Sequence, residues 1–214
     1  DSRIAYLEEA GGKINLGIMD LTKQTKAGFA RTTLDSFALH DVRISWVSPD
    51  TILFHEKPSA RVPGSIWKYT ISSKRLDPLI MERSSLWVRW DKTASSGIMF
   101  SDKAQNRIEV VDLRGVIINA SPFLTFPDKC AIGGNALYCA VPQPPLSNEK
   151  FLDAYLKRSF YTDDFIYKLE LNSGRPTLIF SNSPVKIDAK NLRVDGQKLY
   201  FINRYDKKLY QLSL

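Results

Sequence analysis

The side chains best equipped for chemistry are sparse in this 214-residue chain. Cysteine occurs twice, at Cys130 and Cys139 within "KCAIGGNALYCAV", and histidine twice, at His40 and His55. Two thiolates with no histidine near them in sequence cannot complete a tetrahedral zinc site, and their C-x8-C spacing is not the C-x-x-C of a redox motif. No metal ligands and no cofactor are therefore expected. A two-residue turn at Gly134-Asn135 suits the positive φ that such turns need. It would set Gly133 opposite Ala136, Ile132 opposite Leu137, Ala131 opposite Tyr138, and Cys130 opposite Cys139. Alternation outward from the turn makes the cysteines a non-hydrogen-bonded pair, where side chains approach most closely. Directly opposed β carbons stand ~4.5–5.5 Å apart, slightly wider than the ~3.5–4.5 Å of a disulfide, a gap that strand twist closes. The register favours a Cys130–Cys139 disulfide, and with it a compartment outside the reducing cytosol. Two reduced thiols packed as small hydrophobes are the alternative.

Other chemistry is thinner still. The sequence contains no nucleophile elbow, P-loop, dinucleotide fingerprint or H-E-x-x-H, and "VPGSIW" lacks the second glycine of an elbow. His55 reads as part of a packed strand ("ILFHEK") and His40 as a connection between strands. Asp163-Asp164, ahead of "FIYKLEL", could pair for acid–base work or hold a cation, but the position suits the end of an inserted segment and the start of a strand. "VDG" at 194–196 is a turn rather than a calcium loop, because no alternating Asp or Asn precedes it. "NAS" at 119–121 is a glycosylation sequon in form. A hydrolase or lyase reading would need Asp41, Asp128, Asp163 and Asp164 to converge at one mouth.

The elements that position these residues are strands. Helical periodicity is nearly absent, and short alternating segments follow one another: "RIAYLEE", "INLGIMDL", "VRISWVS", "TILFHEK", "SIWKYTIS", "LWVRWDK", "SGIMFSD", "NRIEVVDL", "DFIYKLEL", "PTLIFSN". They group into units of four strands recurring every ~40–60 residues, the mark of a repeat architecture. The second strand of each unit is the most apolar ("TILF", "ALYCAV", "KLYFIN"), as when a strand is covered on both faces. The expected fold is all-β: a β-propeller of four-stranded antiparallel blades with one short inserted helix, in preference to a β-sandwich, which has no such internal period. Residues 1–214 form one propeller portion, with blades over 1–34 (partial), 41–83, 86–122, 128–182 and 185–214 (partial). Neither partial blade is complete, so the seam is expected to be open, and a start at "DSRIAYL" reads as a processed or excised piece.

A net charge of +7 and a pI near 9.3 favour acidic partners. The basic residues are scattered, with doublets at 74–75, 157–158 and 207–208, and no nucleic-acid module is recognisable, so no specific nucleic acid is expected. No apolar run reaches the ~18 residues of a membrane span. Two loops break the blade pattern: "EKPSARVPGS" at 56–65 and "PQPPLSNEKFLDAYLKRSFYTDD" at 142–164, each joining the second strand of a blade to the third. Equivalent connections open on one face of a propeller, so the two are expected to be neighbours. In the second, Asn148 can cap a helix with Phe151, Leu152, Tyr155 and Leu156 on one side, while Lys150 and Lys157 add charge. Arg61, Tyr155, Lys157 and Arg158 are the expected partner contacts, because binding concentrates on loops carried by a rigid scaffold. A helix that merely covers a blade edge is the competing reading.

"SWVSPDTILFHEKPSARVPGSIWKYTISSKRL" and the stretch from "FPDKCAIGGNALYCAVPQPPL" to "YFINRYDKKLYQLSL" resemble a WD40-like, TolB-like β-propeller family of candidate-phyla-radiation (Patescibacteria-type) bacteria. The resemblance covers most of the chain and is most specific at "KPSARVPG", "KC…YCAVP" and "YFINRYDKKLYQL". It implies a secreted or membrane-tethered protein with an N-terminal hydrophobic helix, a linker and further blades ahead of this portion; the anchor itself is missing from this sequence. It carries no catalytic residues across. Together these readings lead to a non-enzymatic, extracytoplasmic module that binds a protein or acidic polymer at the cell surface. A propeller hydrolase or lyase and an intracellular interaction scaffold are the alternatives.

Overall fold

The computed structural model describes residues 2–26, 28–91, 95–102, 107–144, 151–181 and 184–214. Its strands pair antiparallel in five sheets, and the chain divides into two compact units, Asp1–Lys57 with Gly64–Met81, and Pro58–Pro63 with Glu82–Leu214.

In the first unit, β1 (Arg3–Ala10), β2 (Lys13–Thr25) and β3 (Gly28–Phe37) make a three-stranded meander. A four-stranded sheet follows in chain order: β4 (Val42–Ser48), β5 (Thr51–Glu56), β6 (Gly64–Thr70) and β7 (Arg75–Arg83), the end of β7 passing into the second unit. Leu16, Ile52, Phe54 and Tyr69 form the core of this unit, with the Phe37 ring edge-on to both Phe54 and Tyr69. His55 on β5 is half-buried with its Nε2 out of solvent, and desolvation, helped by the Arg43 charge, pulls it down to about 4. It is a neutral strand residue at pH 7.

The second unit holds three sheets. The first comprises β8 (Trp87–Trp90), β9 (Ser96–Phe100), β10 (Ile108–Asp112) and β11 (Ile117–Ala120). The second comprises β12 (Cys130–Gly133), β13 (Ala136–Pro142), β14 (Asp164–Glu170) and β15 (Arg175–Phe180). The third comprises β16 (Ala189–Asp195), β17 (Lys198–Asn203) and β18 (Leu209–Ser213). A 3-10 turn at Pro127–Lys129 leads into β12, and one short helix, α1 (Phe151–Leu156), lies in the connection from β13 to β14. The expected cap Asn148, and Lys150 with it, fall outside the described residues.

β13 explains why the second strand of each unit is so apolar. It is paired on both edges, by β12 and β14. One face sends Leu137, Cys139 and Val141 into a core shared with Phe100, Phe126 and Tyr155. The other sends Ala136, Tyr138 and Ala140 into a core shared with Ile187, Leu192 and Phe201. A strand buried on both faces has no polar alternation left to show. At its head, Gly134 takes φ 57° in the turn that a side chain would strain.

The hairpin register is the one expected from the turn: Cys130 pairs with Cys139, Ala131 with Tyr138, Ile132 with Leu137 and Gly133 with Ala136. The two cysteines form a disulfide with a Cα–Cα distance of 4.1 Å, inside the ~4.5 Å of an ordinary non-hydrogen-bonded pair, and both are 0% exposed. The short loop it closes gives a modest constraint on the unfolded chain. Replacing both cysteines by alanine is expected to lower stability by about 2–3 kcal/mol in denaturant titrations. In the intact-mass spectrum, the native chain should take no alkyl group until it is unfolded and reduced. Alkylation of the native chain without reductant would contradict the bond.

Candidate functional site

The site is built around a lysine that the local sequence would place at the surface. Lys129 ends the 3-10 turn just before β12 and is 0% exposed. Its ammonium donates to Thr162 Oγ1 at 2.9 Å, Asp164 Oδ2 at 2.6 Å and Asp188 Oδ1 at 2.6 Å. Three acceptors meet the three N–H bonds of the ammonium. Asp188 Oδ2 accepts from Arg204 Nη1 at 2.9 Å and from the Thr162 amide at 3.1 Å, while Asp164 Oδ2 also accepts from the Ala189 amide at 2.7 Å. Asn203 Oδ1 in turn accepts from the Asp188 amide at 3.0 Å. Two cations and two carboxylates, all buried, therefore tie together the turn before β12, the head of β14, the head of β16 and the end of β17. Burial holds the Asp164 carboxyl above its ordinary range, against the opposing pull of Lys129.

Aromatic rings carry this network outward. The Arg204 guanidinium lies 4.3 Å from the Tyr155 ring centroid and 4.9 Å from that of Tyr161. Tyr155, from α1, stacks on Phe126 at 4.3 Å, and its hydroxyl donates to Asp128 at 3.0 and 3.2 Å. Desolvation pushes the Asp128 carboxyl up to about 6, against the pull of Lys129, the Tyr155 hydroxyl, Arg89 and Arg204. Tyr161 stacks on Tyr205 with centroids 5.1 Å apart. These two residues are 48% and 43% exposed, so a stacked aromatic pair stands at the surface, with a buried guanidinium against one of its rings.

The expected contact residues divide. Tyr155 is a correction: at 4% exposed it is part of the core and cannot touch a partner. Helical spacing groups it with Leu152, and both point inward. Arg61, Lys157 and Arg158 are exposed, and none has an ion-pair partner among the described residues. The two unusual loops do meet: the Ala60 amide donates to Asp153 Oδ1 of α1 at 2.9 Å. α1 is closed by Arg158 in the left-handed region, φ 59°, with its amide bonded to the Tyr155 carbonyl. Tyr161 and Tyr205 escaped the sequence reading because 44 residues separate them, and only the polar layer beneath brings them together. Lys129 carried no signal beyond standing next to a cysteine of the core.

The four carboxylates of the enzymatic alternative are accounted for individually. Asp41 lies in the first unit and is exposed, Asp128 is bound by Tyr155, Asp163 Oδ1 accepts from the Ile187 amide at 3.3 Å, and Asp164 is neutralised by Lys129. No group of three or more His, Cys, Asp or Glu residues able to hold a metal is found among the described residues. The sequon asparagine, Asn119, donates its side-chain amide to the Leu171 carbonyl at 2.7 Å.

No family model and no curated protein matches the chain. Solved structures do. TolB from Acinetobacter baumannii is 14% identical, with 100% of this chain aligned to 52% of that one at a TM-score of 0.51. An oligogalacturonate lyase in complex with manganese is 13% identical over 94% of this chain and 54% of its own, with a TM-score of 0.62. The β-propeller domain of the Trilobed protease from Pyrococcus furiosus, described as an open velcro, is 12% identical over 100% of this chain and 82% of its own, with a TM-score of 0.53. The fold is thus a β-propeller of the TolB-like kind. The chain spans about half the length of TolB and of the lyase.

Two outcomes are expected from the buried layer. Lys129→Met leaves the buried Asp164 without a cation and Asp188 with Arg204 alone, and should cost about 3–5 kcal/mol in chemical denaturation; a loss under about 1 kcal/mol would show that the ammonium does not hold the layer. Asp128→Asn keeps an acceptor for Tyr155 but removes a charge. Because the folded carboxyl titrates near 6 rather than at 3.8, its contribution to stability is fully present below pH 3.8 and is lost as the pH rises through about 6. The parent protein should therefore lose about 1–3 kcal/mol across that window relative to Asp128→Asn. Parallel stability–pH curves for the two proteins would refute the assignment.

Proposed function

We propose that this chain is a non-enzymatic binding module that works outside the reducing cytosol and takes an acidic partner at the cell surface, an acidic polysaccharide in the first instance. The observation that carries the reading is the exposed Tyr161–Tyr205 stack, with Lys157 and Arg158, cations without an ion-pair partner among the described residues, on the same short segment as Tyr161, and Arg61 on the loop bonded to α1. Flat aromatic faces accept sugar rings, and unneutralised guanidinium and ammonium groups attract carboxylates. The platform is rigid where it needs to be, since Arg204 beneath Tyr161 is fixed by Asp188 and by the Phe160 carbonyl. The disulfide supports an oxidising setting. Oligogalacturonate lyase is named for an acidic oligosaccharide; at 13% identity it lends only its fold, but it suggests the first probe.

Binding of polygalacturonate and of uncharged dextran should be compared by calorimetry at two salt concentrations. The parent chain is expected to bind the acidic polymer alone, more weakly at high salt. Arg61→Glu/Lys157→Glu/Arg158→Glu and, separately, Tyr161→Ala/Tyr205→Ala should each weaken binding at least about tenfold, which corresponds to about 1.4 kcal/mol. Equal binding of dextran, or unchanged affinity in both variants, would overturn the reading.

A further inference from the structure

A second concave site lies elsewhere in the second unit, where β8, β12 and β16 come together. Gly133 on β12 lets Val194 of β16 approach so closely that an added Cβ would stand 2.6 Å from its Cγ1. Arg89 of β8 crosses this junction. Its Nη1 donates to the Cys130 carbonyl at 3.0 Å and the Asp128 carbonyl at 3.4 Å, and its Nη2 to the Leu192 carbonyl. These acceptors orient the guanidinium but are neutral, so none cancels its charge. Burial holds Arg89 below its ordinary pKa, the more distant charge of Asp128 partly restores it, and the like charge of Arg193 lowers it again.

Arg89 and Arg193 share a cavity of about 180 Å³, walled by Ile132, Leu192 and Val194. One carboxylate, Asp91, also lines it. That group already accepts from the Ser95 amide at 3.0 Å, from Ser95 Oγ at 3.1 Å and from Ser96 Oγ at 3.1 Å. Trp90 is 9% exposed, and its six-membered ring covers Gly97. That ring lies on the face of β8 opposite to Arg89 and Ile98, so the indole does not face the cavity.

Two features thus share one place: an apolar-walled cavity and two guanidinium groups with no ion-pair partner among the described residues. We propose that this cavity binds a compact carboxylate with an apolar body, its anionic end at Arg89 and Arg193 and its body against Ile132, Leu192 and Val194. An apolar cavity of about 150 Å³ admits benzene, so the space here suits about nine non-hydrogen atoms, a six-membered ring and its carboxylate. The apolar walls select an organic acid over an inorganic anion, which would leave them without contacts. The site is separate from the tyrosine platform and stands or falls independently of it.

The test uses the whole chain and its backbone amide resonances at Ile132, Leu192 and Val194, which line the cavity. Benzoate is the probe, and benzamide and inorganic phosphate are the controls of shape and of charge. Benzoate is expected to shift these signals saturably. Benzamide, phosphate, and benzoate against the exposed-site variant Arg193→Glu should each bind at least tenfold more weakly. No saturable shift by about 10 mM benzoate, equal affinity for benzamide or phosphate, or an unchanged affinity in Arg193→Glu would overturn the proposal.

Discussion

The second unit depends on one interaction, the ion network in which Lys129 and Arg204 share Asp188 and Lys129 also holds Asp164. Removing four charged groups from water costs several kcal/mol each, and mutual attraction offsets this only when geometry is tight. That condition makes the network a constraint on everything around it. The 3-10 turn, the head of β14, the head of β16 and the end of β17 have one arrangement in which the ammonium meets three oxygens at once. Hydrophobic burial, which has no direction, would leave these sheets freer to slide against each other. The charged layer sets their register, and the apolar layers formed by the two faces of β13 supply the driving force.

α1 belongs to the same constraint. Six residues are too few to form a stable helix alone. Here Leu152 and Tyr155 enter the core, the Tyr155 ring bridges Phe126 and Arg204, and its hydroxyl closes on Asp128. The helix thus serves as a lid on the polar layer, and the segment leaving it is placed by Arg204, which reaches the Phe160 carbonyl and stacks on Tyr161. The exposed tyrosines inherit their position from a buried ion pair two residues or one ring away.

Most of the strand architecture could be read from the sequence, because period-two alternation and turn residues are local signals. "CAIGGNALYC" fixed its own register through Gly134-Asn135, and with it the disulfide. Strands such as "ALYCAV" were visible as buried on both faces because nothing polar interrupts them. The site was less legible. Helical spacing grouped Tyr155 with Leu152 but could not say that their side faced the core, and a tyrosine between basic residues looked like a contact. Lys129 and Asp188 are single charges in short connections, where solvent exposure is the usual expectation. Asp164 was noticed only as half of an acidic doublet. Partners that lie 35 and 59 residues from Lys129 leave no pattern in a local window.

The division of charge links fold to surface. Among the described residues the ionic side chains in the buried class are two cations and two anions, Lys129 and Arg204 against Asp164 and Asp188, and their formal charges cancel. The whole excess of +7 is therefore carried by the other ionisable groups. A fold that needed its basic residues for internal pairing would tend to balance them with acids; here the internal account closes without them. The surplus remains available to long-range attraction, which acts on encounter rates and on the sign of the partner rather than on stability. Arg61, Lys157 and Arg158 near the platform, and Arg193 at the cavity, are local expressions of that surplus. Arg89 differs from them: it is half-buried and held by backbone carbonyls, so its charge has a fixed direction. The same chain thus presents basic charge in two forms, long exposed side chains and a guanidinium fixed behind an apolar wall. The proposed polyanion would meet the first, and the proposed small carboxylate the second.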